Sequence, residues 1–186
     1  MKDVLAHLYS IIDEYIESNN QVKPVVYFQN PEQIKEKLSI PITEQGEEYE
    51  KLFKYLKRYL RYSVHTANHQ FFNQLYGGFN LPAFIGDVIT SLSNTSMYTF
   101  EVAPVATMIE MELINKMNTY TGFDKGDGVF LTGGSNSNLI AMFTARNSKF
   151  PELRKNGVYN HQPLSAFVSD QAHYSMRTAV NLLGLG

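Results

Sequence analysis

A chain of 186 residues, 44% hydrophobic and 18% charged, is long enough to bury a sizeable core in one domain with an appendage. Its net charge of −2 gives no general reason for nucleic acid or an anionic membrane as a partner. Lacking cysteine, it has no disulfide framework, no thiolate metal site and no thiol nucleophile, and it suits a reducing compartment.

The N-terminus begins Met1-Lys2-Asp3 and soon carries Glu14 and Glu17, which does not read as a signal peptide. No apolar run is long enough to span a bilayer, so the expectation is a soluble, cytoplasmic protein. Val4, Leu5, Leu8, Ile11, Ile12, Tyr15 and Ile16 recur at helical spacing and predict an amphipathic helix over about residues 4–18, stopped by Ser18-Asn19-Asn20. Residues 23–31 read as extended linker, and a short helix over 31–38 carries Pro31 in its first turn.

A second amphipathic helix is predicted over about 47–62, with Tyr49, Leu52, Phe53, Leu56, Tyr59 and Leu60 as its apolar stripe. Lys51, Lys54, Lys57, Arg58 and Arg61 crowd the same helix. Such a basic surface docks on nucleic acid, an anionic membrane or a partner protein, or is a solvated face over a packed stripe, and the last reading is preferred. Residues 65–80, rich in aromatics, amides and glycine, form an irregular loop of the kind that lines pockets or crosses surfaces. A helix follows over 81–93 until Asn94-Thr95-Ser96, and 97–100 are predicted extended.

Pro104 opens a long helix through about Tyr120 with Val105, Met108, Ile109, Leu113, Ile114 and Met117 turned inward, the methionines as core filler. Thr121-Gly122 closes it. The chain is then organised around the stretch 126–143. A short buried strand over 128–132 runs into Gly133-Gly134-Ser135-Asn136-Ser137-Asn138, and a helix over about 136–149 stops before Pro151. Such a junction collects free backbone N–H groups at a helix N-terminus, which bind a phosphate or other anion, although a merely capped connection has the same residues. It is neither a P-loop nor a GxGxxG dinucleotide loop.

Residues 156–163 read as loop, 164–168 as a second buried strand, and Ser169-Asp170-Gln171-Ala172-His173 as the turn into a last helix that Gly184 ends. This β-α-β-α order predicts parallel strands, with both turns on the edge where open α/β sheets bind ligands. Two parallel strands make a poor sheet, so the chain reads as the front part of a larger protein.

Single residues leave the chemistry open. His65 and His69 lie four apart, but in an irregular loop without a nearby carboxylate, so no metal site is expected. His173 suits a general acid/base, a ring-stacking partner or a surface residue. Ser135 and Ser137 lack a nucleophile elbow. Asp127 and Glu101 have no identifiable carboxylate partner.

Taken together and in order, several segments resemble the group II pyridoxal-5′-phosphate-dependent amino-acid decarboxylases, which include the glutamate, cysteine-sulfinate and aspartate 1-decarboxylases. These segments are Phe72-Asn73-Gln74-Leu75, Asn94-Thr95, Tyr98-Thr99-Phe100-Glu101-Val102-Ala103-Pro104, Gly126-Asp127-Gly128, Gly133-Gly134 with Ser137-Asn138, Ala145-Arg146, and Ser169-Asp170-Gln171-Ala172-His173-Tyr174-Ser175. The likeness covers about residues 65–186. It implies an α/β fold of the fold-type-I pyridoxal-phosphate transferase kind, present in part: an N-terminal helical segment over 1–62 and the first portion of the large cofactor-binding domain over 63–186.

By that resemblance Ser135, Asn136 and Ser137 hold the cofactor phosphate, and His173 is the catalytic residue stacked on the cofactor ring. Gln74, Leu75 and Tyr76 lie beside the substrate. The implied reaction removes the α-carboxylate of a small acidic amino acid (glutamate, aspartate or cysteine sulfinate) through a cofactor imine, in a homodimer that needs no metal, nucleic acid or membrane. Tyr76-Gly77-Gly78 and Asn136 depart from the common pattern and bear on the substrate. The family's Schiff-base lysine and the aspartate that pairs with the pyridine nitrogen have no counterpart in the sequence and are expected beyond Gly186, so residues 1–186 alone are expected to be inactive. Two alternatives remain: a non-catalytic interaction module acting through the basic helix, and a pyridoxal-phosphate lyase or aminotransferase on the same fold.

Overall fold

The computed structural model describes residues 1–186 apart from Val22, Ser39, Ile40, Pro41 and Thr43. The chain divides into two compact units, Met1–Asn94 and Thr95–Gly186.

In the first unit, α1 (Lys2–Ser18) and α3 (Tyr49–Tyr62) pack together. The rings of His7 and Phe53 meet at 4.3 Å. Ile11 and Phe53 are buried, whereas Tyr49, Leu52 and Tyr59 of the expected stripe are exposed. The apolar face of α3 is therefore narrower than its sequence suggests. Between them α2 (Pro31–Leu38) begins with a reciprocal cap. Asn30 Oδ1 accepts from the Gln33 N–H at 2.9 Å, and Gln33 Oε1 accepts from the Asn30 N–H at 3.1 Å.

The basic residues of α3 are partly spent within the unit. Lys51 pairs with Glu47 at 2.6 Å, Lys57 with Glu14 at 3.5 Å, and Arg61 lies over the Tyr27 ring at 5.3 Å. These contacts support the reading of a solvated face. Residues 63–80 are irregular, and α4 (Leu81–Ser93) starts where Asn80 Oδ1 accepts from the Ala83 N–H at 2.9 Å. It ends at Asn94 in the left-handed conformation, φ 47°.

In the second unit, residues 97–101 form turns instead of the predicted extended run, because Thr99 O accepts from both the Val102 and Ala103 N–H groups. Helix α5 (Pro104–Thr121) closes on Gly122 at φ 78°. The inward face expected of α5 is not found: Val105, Met108, Ile109, Leu113 and Met117 are exposed, and Ile114 alone of that set is half-buried. Apolar residues occur nearly all round this helix, so periodicity could not select one face.

The chain after α5 folds back along it in a fixed register. Asn118 Nδ2 donates to Gly126 O at 2.9 Å, Ile114 covers Gly128, and Glu110 Oε1 accepts from the Phe130 N–H at 3.0 Å. Each four residues of helix match two of the returning chain, about 6.0 Å against about 6.6 Å if that chain is extended. A Cβ on Gly128 would lie 3.2 Å from Ile114 Cγ2, so glycine permits the close approach.

No strand is formed among the described residues. The predicted strand at 128–132 has no backbone ladder, since its nearest neighbour is a helix that offers side-chain acceptors. The predicted strand at 164–168 is paired at one point. Gly186 N–H donates to Leu164 O at 2.8 Å and Gly186 O accepts from the Ala166 N–H at 2.9 Å, the bond pattern of a parallel pair about Ser165.

Helix α6 (Gly134–Lys149) starts two residues before its predicted onset, the short α7 (Leu153–Asn156) was not anticipated, and α8 (Ser175–Leu182) follows. Helices α6 and α8 pack in parallel. Asn138 bonds Ser175 and Arg146 bonds Leu183, both ties spanning 37 residues. Ala179, fully buried, lies midway along α8 between them.

Candidate functional site

The loop before α6 is shaped by Gly133, whose φ of 85° and ψ of 160° belong to a region that glycine occupies almost alone. Its N–H donates to Leu131 O at 2.8 Å, and the first helical bond is the Ser137 N–H to Gly133 O at 3.1 Å. The N–H groups of Gly134, Ser135 and Asn136 have no acceptor among the described residues, and no side chain caps the helix. No acidic residue sits in its first turn. Three unspent donors at the positive end of a helix dipole fit a phosphate dianion.

The three side chains predicted here differ in availability. Asn136 Nδ2 donates to Thr132 Oγ1 at 3.1 Å, and Ser137 Oγ donates to Gly133 O at 3.1 Å, so both brace the loop. The Ser135 hydroxyl has no partner among the described residues. It is exposed and available to a ligand.

His173 is also exposed, on the turn where Ser169 O accepts from the Ala172 N–H at 3.1 Å. Its ring lies against that of Tyr174 at 4.4 Å. Its Nδ1 is 2.9 Å from Ser175 Oγ and accepts from the Ser175 N–H at 3.2 Å. Ser175 Oγ in turn accepts from Asn138 Nδ2 at 2.8 Å. The imidazole is thus linked to α6, the helix that carries the unspent N–H groups. Sequence reasoning placed Asn138 and Ser175 in matching segments but assigned them no role. Only their spatial meeting shows one.

Gln74, Leu75 and Tyr76 lie in the first unit, all exposed. Asn73 organises them. Its Oδ1 accepts from the Leu75 N–H at 2.8 Å, and its carbonyl accepts from the Tyr76 N–H at 3.3 Å. Tyr76 meets the Phe71 ring edge-on at 5.5 Å. The Gln74 amide makes no hydrogen bond among the described residues.

The other titratable candidates have local roles. Asp127 Oδ1 accepts from the Gly128 N–H at 2.7 Å. Glu101 is held below its usual range by its own backbone N–H and by the Thr99 hydroxyl. His65, 6% exposed, lies among Tyr15 and Tyr27, and burial followed by the charge of Lys23 lowers its pKa. Among the described residues no helix is long and apolar enough to cross a membrane.

The pyridoxal-dependent decarboxylase conserved domain matches residues 31–186. Human cysteine sulfinic acid decarboxylase is 37% identical over 177 residues, covering 95% of this chain and 36% of the human protein. Glutamate decarboxylase of Drosophila melanogaster is 32% identical over 187 residues, covering the whole chain and 37% of the fly protein. The crystal structure of mouse CSAD superposes with a TM-score of 0.94 at 36% identity, covering 100% of this chain and 39% of that one. The chain thus spans a little over a third of the length of these relatives.

Proposed function

The chain belongs to the pyridoxal-dependent decarboxylase family, and we propose that its protein removes the α-carboxylate of a small acidic amino acid with pyridoxal 5′-phosphate as cofactor. The candidate substrates are glutamate, aspartate and cysteine sulfinate, and the names of the similar human and fly proteins support cysteine sulfinate and glutamate among them. The observation that carries the reading is the row of unspent N–H groups at Gly134, Ser135 and Asn136 in the first turn of α6. When bound, the cofactor supplies an electron-withdrawing ring that takes up the charge left as the carboxylate departs.

The chain's own residues bind and orient. The three N–H groups and the Ser135 hydroxyl grip the phosphate, while Asn136 and Ser137 hold the loop in shape. His173 covers one face of the ring. The unpartnered amide of Gln74 offers two N–H donors to a substrate carboxylate, flanked by Leu75 and Tyr76. Residues 1–62 form a helical segment ahead of the large α/β domain, which begins near residue 63. The pairing of Gly186 with Leu164 and Ala166 supports a parallel sheet there. The reading includes a cytoplasmic homodimer. The exposed apolar side chains of α4 and α5, among them Ile85, Ile89, Val105 and Ile109, support burial against further protein surface.

The test is carbon dioxide release by the full-length protein supplied with cofactor. Turnover of glutamate, aspartate or cysteine sulfinate above that of tyrosine and dihydroxyphenylalanine is expected. Preference for the aromatic substrates over all three would overturn the substrate assignment.

A further inference from the structure

We propose that Asn138 and Ser175 are positioning residues that set the tautomer of His173, holding Nδ1 as an acceptor and leaving the ring proton on Nε2. The Ser175 N–H, whose hydrogen direction is fixed by the backbone, points at Nδ1 from 3.2 Å. A proton on Nδ1 would confront it. The Ser175 hydroxyl, 2.9 Å from the same nitrogen, has one hydrogen to give. Asn138 Nδ2 occupies a lone pair of that oxygen at 2.8 Å, which turns the hydroxyl hydrogen toward Nδ1. Ser175 is 3% exposed, so no solvent competes for the hydroxyl. Two donors converge on Nδ1, and a neutral ring then carries its proton on Nε2.

The arrangement joins two functions mechanically. Asn138 sits one residue beyond Ser137, on the helix whose first turn presents the unspent N–H groups. A displacement of that turn reaches the imidazole through two hydrogen bonds.

The kinetic arm of the test rests on the decarboxylase reading, whereas the tautomer is a property of the chain's own residues. The full-length protein, labelled with 15N-histidine, is examined by NMR at alkaline pH with and without cofactor. The wild-type His173 signal should be that of the Nε2–H form. In Asn138→Asp the carboxylate accepts only, so it takes the Ser175 hydroxyl hydrogen, and Ser175 Oγ then turns a lone pair toward Nδ1. The population should then move toward Nδ1–H. In the Ser175→Ala background the same aspartate should have no such effect, while Ser175→Thr should keep the wild-type form.

In the decarboxylation assay, Asn138→Asp should lower kcat roughly tenfold, as for other supporting hydrogen-bond partners, with KM little changed. Wild-type His173 in the Nδ1–H form, or a tautomer indifferent to Asn138→Asp, would overturn the proposal. A tautomer that responds as described in a protein that decarboxylates nothing would sink the functional reading and leave this one standing.

Discussion

The guanidinium of Arg146 donates through Nη1 to the backbone carbonyl of Leu183 at 3.0 Å. Leu183 caps α8, so the contact satisfies a carbonyl that the helix itself leaves unpaired and places a cation at the negative end of its dipole. The same side chain lies over the Phe143 ring at 5.3 Å. Arg146→Met keeps most of the stem and removes the donor. It should cost about 1–2 kcal/mol, read as a lower denaturant midpoint, and Arg146→Lys should recover part of that.

The two glycines at the start of α6, Gly133 as its cap and Gly134 as its first residue, should behave differently. Gly133 sits at φ 85° with open space around its α-carbon, so Gly133→Ala meets no clash and is still strained by about 1–3 kcal/mol. Stability and cofactor affinity should fall together. Gly134 has ordinary φ and equal space, so Gly134→Ala should leave the fold intact and weaken cofactor binding alone, by intruding on the unspent N–H groups. Thermal unfolding and a spectrophotometric cofactor titration separate the two outcomes.

His65 should make the first unit sensitive to acid. Its pKa lies below the ordinary value of 6.5 in the folded chain, through burial first and then the Lys23 charge. The unfolded chain therefore binds more protons between the two values. The stability contribution is fully present above pH 6.5 and is lost as pH falls through the lower, folded value. Glu14, Lys57, Arg58 and Arg61 line the same cavity and share in the local field. His65→Gln should flatten the dependence of the unfolding midpoint between pH 7.5 and pH 5. An equally steep loss in that variant would assign the effect elsewhere.

His173 is exposed, and its ring contacts among the described residues are local, with the Tyr174 ring and with Ser175 through Nδ1, so its removal should leave the fold intact. His173→Ala should lower decarboxylation by roughly 100-fold or more with an unchanged circular dichroism spectrum. His173→Phe should restore some cofactor affinity through its flat face. Unchanged turnover, or a stoichiometric metal bound at His173, would count against its placement over the ring.

The helices were most legible where punctuation is local. The bounds of α2 and α4 are those predicted, because Asn30 and Asn80 cap them directly and Asn94 turns left-handed at the end of α4. Strand formation was not legible in the same way. A strand requires a partner distant in sequence, and the segment at 128–132 finds side chains of α5 instead. The face of α5 was misread because its apolar residues surround the helix. The unspent N–H groups were foreseen from Gly133-Gly134 and the following helix. The link from Asn138 to His173 was not, since it depends on residues 37 apart in sequence meeting at Ser175.

The return of the chain along α5 also bears on the order in which the molecule assembles. Its three contacts close loops of 8 residues at Asn118–Gly126, somewhat more at Ile114–Gly128, and 20 at Glu110–Phe130. Loops this short cost little entropy to close, and contacts so local form faster than the pairing of distant strands. They can zip in sequence from the Gly122 turn outward, each fixing the next. Residues 131–137 follow immediately, so the loop that leads to the unspent N–H groups is delivered by a piece whose assembly requires no neighbour from elsewhere in the chain.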